Sequence, residues 1–177
     1  LLHGTAAFVY DLSNDTLLYT MGDQNAQVAP ASLTKLLTAL MVLEHLDPVR
    51  VITADVETSW AAAGSSVAAV YPGNQLTVEM LLQGMLMQSG NDGAYVLAVA
   101  AGRAIAADPK LEARAALEVF MDEVNLYLQR NGLTGILVDR AMDLTMREKL
   151  MPRTASFSFE RFIIPAHVPS VEPSSTN

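Results

Sequence analysis

The sequence predicts an α+β fold, with a mostly helical body and a short antiparallel β-hairpin at its start. Three observations carry that prediction. Two β-prone runs near the N-terminus flank a polar turn. A 14-residue stretch, Leu33–Leu46, holds nine apolar residues that wrap most of a helix. Ala-rich and amphipathic helical stretches then follow, punctuated by Gly, Asn and Pro. The 177 residues suit one domain with room for an appendage, and 51% hydrophobic with 17% charged residues suits a packed core.

The elements follow in order. Thr5–Asp11 and Thr16–Thr20 read as strands joined by the turn Ser13-Asn14-Asp15. Pro30-Ala31-Ser32 opens a helix to about Leu46, and an almost all-apolar helix belongs at the centre of a domain. Residues 47–75 read as irregular, broken by Pro48, Gly64, Pro72 and Gly73. Thr77 is placed to cap a helix reaching about Met87. Ser89-Gly90-Asn91-Asp92-Gly93 reads as a turn, and Ala94–Ala107 as an Ala-rich helix. A last helix runs from after Asp108-Pro109 to Arg130, stopped by Asn131-Gly132. The runner-up is a nearly all-α chain whose hairpin has frayed.

Composition narrows the chemistry. There is no Cys, so thiolate metal sites, disulfides and a Cys nucleophile are excluded. The three His are far apart, and no metal or organic cofactor is expected. A net charge of −8 argues against a nucleic-acid or anionic-membrane surface. No run reaches the roughly 20 apolar residues of a membrane span. No signal peptide is visible at Leu1, which lacks a basic start. The oligomeric state is not legible.

Two constellations carry chemistry. In Ser32-Leu33-Thr34-Lys35, a serine at a helix start and a lysine three residues on share one face. Burial and the positive end of the helix dipole both disfavour the charged amine, so Lys35 could accept the Ser32 proton. Taken alone, a capping Ser followed by a solvated Lys explains the string as well, but a solvated Lys is hard to place on so apolar a helix. In Ser89-Gly90-Asn91, a turn between helices offers a second hydroxyl and an amide to a cleft. Ordinary turn chemistry would again suffice for it alone.

Together the two resemble a family. Ala29-Pro30-Ala31-Ser32-Leu33-Thr34-Lys35-Leu36-Leu37-Thr38-Ala39-Leu40, with Ser89-Gly90-Asn91-Asp92-Gly93-Ala94, is similar to the serine D-Ala-D-Ala carboxypeptidases. These low-molecular-mass penicillin-binding proteins are relatives of the class A β-lactamases and share the motifs S-x-x-K, S-x-N and K-T-G. The hairpin, Pro72–Val78 and Phe120–Thr134 resemble the family's flanking segments, so the likeness covers roughly residues 4–138. It implies a β-lactamase/transpeptidase-like α+β fold, here truncated to a helical subdomain and a reduced antiparallel sheet. It implies that Ser32 is acylated, that Lys35 is its general base, that Ser89 relays a proton to the leaving D-Ala, and that Asn91 binds the substrate amide and Lys35. The implied substrate is a peptidoglycan stem peptide ending in D-Ala-D-Ala, with β-lactams as acylating mimics, outside the cytoplasmic membrane.

The third motif is missing. Each of the three Lys is followed by Leu, so none begins K-T-G. Leu133-Thr134-Gly135 and Arg153-Thr154-Ala155 are poor substitutes. The composition also breaks near residue 138: all ten Gly fall at or before Gly135, and residues 139–177 carry five acidic and five basic residues. Residues 1–138 therefore read as a partial catalytic domain. Residues 139–177 read as a divergent tail, out of frame or disordered; a lost reading frame or a fragment fits the break better than a natural extension. Phe157–Ile164 is too short and poorly periodic for a membrane anchor and is followed by Pro165. The expected function is carboxypeptidase by descent with impaired turnover. The alternatives are a non-catalytic remnant that binds wall peptide or a protein partner and, more weakly, a β-lactam hydrolase.

Overall fold

A computed structural model describes residues 6–11, 13–22 and 31–132, and the chain divides into two units. In the first, strand β1 (Ala6–Asp11) pairs antiparallel with β2 (Thr16–Gly22), with an irregularity in register between Val9 and Tyr10. The turn is built by Asp11, whose carboxylate accepts from the Ser13 and Asn14 backbone N–H groups and the Asn14 side chain. The Asn14 side chain foremost, then the Ser13 amide, holds this carboxyl below its ordinary value. Val9, Leu17, Leu18 and Tyr19 are all exposed.

The second unit is the helical body. A 3-10 turn (Ala31–Leu33) leads into α1 (Thr34–His45), followed by β3 (Val51–Thr53) and a 3-10 turn over Val56–Trp60. Then come β4 (Gln75–Thr77), α2 (Val78–Met87), α3 (Asn91–Ile105) and α4 (Ala113–Arg130). The α+β class stands, and both strand pairings among the described residues are antiparallel.

Helix α3 is the hub, packing against α1, α2, α4 and the Val56–Trp60 turn. Its small residues allow this. Ala94, Ala98 and Ala101 are fully buried, and a Cβ on Gly102 would run into the Ala116 carbonyl of α4. Such close backbone approach is what Gly and Ala provide. Phe120, Val124 and Leu128 of α4 and Leu81 and Met85 of α2 complete the core. Trp60 meets Tyr95 of α3 edge-on at 5.4 Å, and the Arg114 guanidinium lies 4.6 Å from the Trp60 ring.

Local chemistry sets the helix ends. Thr77 caps α2 as its position predicts, its Oγ1 accepting from the Met80 N–H at 3.1 Å. The Glu112 carboxylate accepts from the Arg114 and Ala115 amides and starts α4, and Gly132 at φ 73° follows its end.

Three expectations are corrected. Residues 47–75 are not wholly irregular, since β3 pairs with β4 through Val51↔Thr77 and Thr53↔Gln75; the β-branched Val51-Ile52-Thr53 was the overlooked signal. Helix α3 begins at Asn91 rather than Ala94, so Asn91 and Asp92 lie in its first turn. Helix α1 is not buried all round: Leu37, Met41 and Val42 face the core, while Leu33, Leu36 and Leu43 are exposed. They leave an apolar stripe at helical spacing with nothing over it among the described residues. The residue-138 boundary and everything beyond it lie outside the described residues. Among those described, no helix is long and apolar enough to cross a membrane.

The α3–α4 contact yields a stability prediction. Gly102→Ala forces the two helices apart and costs about 3 kcal/mol, at the upper end for overpacking. The Ala100→Gly control, on the same helix, costs only about 1 kcal/mol. Urea unfolding followed by circular dichroism measures both; a Gly102→Ala variant as stable as its parent would refute the close crossing.

Candidate active site

Ser32 lies in the 3-10 turn that precedes α1, just after Ala31, which takes a left-handed φ of 47°. The Thr34 hydroxyl donates to the Ala31 carbonyl at 2.6 Å and closes this turn. Ser32 is exposed, whereas Lys35 one turn on is 2% exposed. The S-x-x-K spacing therefore holds a hydroxyl at the surface and a lysine beneath it.

Ser89 reaches the same point from the other side of the chain. It ends the α2–α3 connection with φ 56°, a left-handed conformation that costs a residue with a Cβ roughly 1–2 kcal/mol. The strain has a visible result. The Ser89 hydroxyl donates to Ser32 Oγ at 2.7 Å, and Lys35 Nζ donates to both Ser32 Oγ and Ser89 Oγ at 3.3 Å. Three polar groups separated by up to 57 positions thus form a closed triangle. A cavity of about 340 Å³ opens over it, lined by these three residues with Leu33, Leu36, Met85 and Leu86.

Asn91, the fourth residue read from the sequence, is 6% exposed at the start of α3 and does not line this cavity. Its backbone N–H donates to the Ser66 carbonyl at 2.9 Å. The apolar wall, Leu33, Leu36, Met85 and Leu86, was missed by the sequence reading. Leu33 and Leu36 could have been found, since they lie within four residues of Ser32 along the 3-10 turn and first turn of α1.

Comparison with known proteins supplies the family. The sequence model for D-alanyl-D-alanine carboxypeptidases, peptidase S11, matches residues 2–107. The chain belongs to that family. It is 35% identical over 96 residues to a D-alanyl-D-alanine carboxypeptidase, DacF, of Bacillus subtilis, covering 52% of this chain and 24% of that protein. Its identity to DacB2 of Mycobacterium tuberculosis is 39% over 94 residues, covering 53% of this chain and 32% of the relative. In fold it resembles the crystal structure of a Streptomyces DD-transpeptidase, with a TM-score of 0.65 and 26% identity over 76% of this chain and 50% of that one. The chain thus spans about a quarter to a third of the length of these curated relatives. It corresponds to an N-terminal part of the catalytic domain and is a serine hydrolase by family.

The strain at Ser89 can be weighed directly. Ser89→Gly and Ser89→Ala both remove the hydroxyl, but only glycine relaxes the left-handed backbone. The glycine variant should be more stable than the alanine variant by about 1 kcal/mol, read as a difference in denaturation midpoint. Equal stability would mean that Ser89 is not held in the left-handed region.

Proposed function

We propose that Ser32, Lys35 and Ser89 form the acylating part of a serine D-Ala-D-Ala carboxypeptidase site. Ser32 is the nucleophile, Lys35 its general base and Ser89 the proton relay. The substrate is a stem peptide of peptidoglycan ending in D-Ala-D-Ala, met outside the cytoplasmic membrane, and β-lactams are acylating mimics. The single observation behind this reading is the triangle, with Lys35 Nζ 3.3 Å from Ser32 Oγ and from Ser89 Oγ.

The chemistry follows from the contacts. Lys35 Nζ, 3.3 Å from Ser32 Oγ, is placed to take the Ser32 proton as Oγ attacks the penultimate D-Ala carbonyl. The C–O bond forms and the carbonyl electron pair moves onto oxygen. Backbone N–H groups at the start of α1 are the proposed donors to that oxyanion. As the intermediate collapses, the C–N bond breaks, and the proton on Lys35 passes through the Ser89 hydroxyl to the leaving amine of D-Ala. An ester on Ser32 is left for water to cleave. The resemblance assigns the substrate amide and Lys35 to Asn91, which here is 6% exposed at the start of α3, outside the cavity lining. No metal or organic cofactor enters.

The reaction is impaired in this chain as it stands, because its 177 residues contain no K-T-G. The resemblance assigns to that motif the binding of the substrate carboxylate and one oxyanion donor. Loss of one such donor costs about 10²–10³ in rate. A remnant that binds wall peptide without turning it over is the second reading, favoured by the same missing motif.

A fluorescent penicillin tests the proposal. Labelling should be weak, absent in Ser32→Ala, and accompanied by no measurable release of D-Ala from a D-Ala-D-Ala peptide. Labelling that survives Ser32→Ala would defeat the assignment of the nucleophile. Fast D-Ala release would show the site to be complete without the third motif.

A further inference from the structure

The structure assigns Asp92 as a positioning residue for Ser89. This rests on the reading of Ser89 as part of the acylating site. Asp92 is 2% exposed, in the first turn of α3, three residues after Ser89. Its carboxylate accepts three backbone N–H groups: Oδ1 takes those of Ala68 and Gly93, and Oδ2 that of Val70, each at 2.8 Å. Bonds to an ionised acceptor are shorter and stronger than neutral ones. A negative charge in the first turn of a helix is also favoured by the helix dipole.

Two of those donors come from a strap, residues 66–70, that lies behind the Ser89–Asn91 turn. Its conformation is fitted to the carboxylate. Ala69 takes a left-handed φ of 60°, and the residues on either side of it, Ala68 and Val70, both donate to Asp92. The strap is tied twice more. Asn91 N–H donates to the Ser66 carbonyl at 2.9 Å, and the Ala68 methyl packs between Gly84 and Gly90. A Cβ on Gly90 would stand 2.6 Å from the Ala68 Cβ and 2.8 Å from its nitrogen, and one on Gly84 would stand 2.9 Å from the Ala68 Cβ. Both glycines are therefore sites of close approach rather than of chain flexibility.

The consequence reaches the site through the backbone. Ser89 is in a costly left-handed conformation, and such strain persists only where the surroundings over-determine it. The strap supplies that over-determination through its contacts with Gly90, Asn91 and Asp92, the residues that directly follow Ser89. Asp92 anchors the strap, so it fixes the Ser89 Oγ position within the triangle without touching it.

The test uses the full chain and two variants. Asp92→Asn removes the charge and one acceptor. Ala68→Gly loosens the wedge while leaving every hydrogen-bonding group and the fold in place. Amide exchange at Ala68 and Val70 should rise at least tenfold relative to Leu97 in Asp92→Asn, and less in Ala68→Gly. In both variants the Ser89 Cβ and Lys35 Nζ resonances should move, and Asp92→Glu should restore them in part. If the two amides open while the Ser89 and Lys35 resonances stay where they were, Asp92 is only structural and the inference fails. These resonances can be read whether or not Ser32 reacts, so the inference is tested even where the parent chain is unreactive. Where the parent is acylated by penicillin, Asp92→Asn should slow that acylation at least tenfold; an unchanged rate overturns the inference and leaves the function standing.

Discussion

Lys35 sets the central constraint. A lysine with 2% of its surface exposed, on a helix whose neighbours are Leu, Ala, Met and Val, has a polar head that must be met inside the protein. Two hydroxyls meet it at 3.3 Å, and neither arrives by accident of helix geometry alone. Ser32 comes from a 3-10 turn entered through a left-handed Ala31, and Ser89 from a turn with a left-handed backbone of its own. Both serines thus depend on locally unfavourable backbone, which the helical body must hold. The body can do so because α3 is small-sided enough for four elements to close on it.

The parts of this that were legible follow a physical rule. End signals placed the C-termini of α1, α2 and α4 and the start of α2 to within a residue, because caps such as Thr77 and stops such as Asn131-Gly132 act locally, whereas α1 and α4 begin a few residues later than read. The motif pairing identified Ser32, Lys35 and Ser89, and the structure brings those three together. What was not legible depends on tertiary contact. The β3–β4 pairing joins residues more than twenty positions apart through two three-residue strands, too short for alternation to show. Asp92 looked like one turn former among several, and nothing local says that its carboxylate binds a strap from residues 66–70. The exposed side of α1 was misread for a related reason: an apolar helix reports that both faces want cover, not which face has it.

That uncovered side bears on the chemistry. Leu33, Leu36 and Leu86 wall the cavity beside Ser32, and Leu33 and Leu36 are more than half exposed. Among the described residues the triangle therefore sits at the rim of an open apolar surface. Electrostatic stabilisation of a developing oxyanion is weaker where water competes.

Whether Ser32, Lys35 and Ser89 act as one unit is the central claim. The direct measurement is a double-mutant cycle on the growth of a penicilloyl adduct at Ser32, followed by intact-protein mass spectrometry. The four chains are the parent, Lys35→Met, Ser89→Ala and the double variant. Groups that share one proton path give strongly non-additive losses. The account predicts that the double variant reacts about as slowly as Lys35→Met alone. Losses that multiply, or a Ser32 that reacts equally in all four chains, would contradict it.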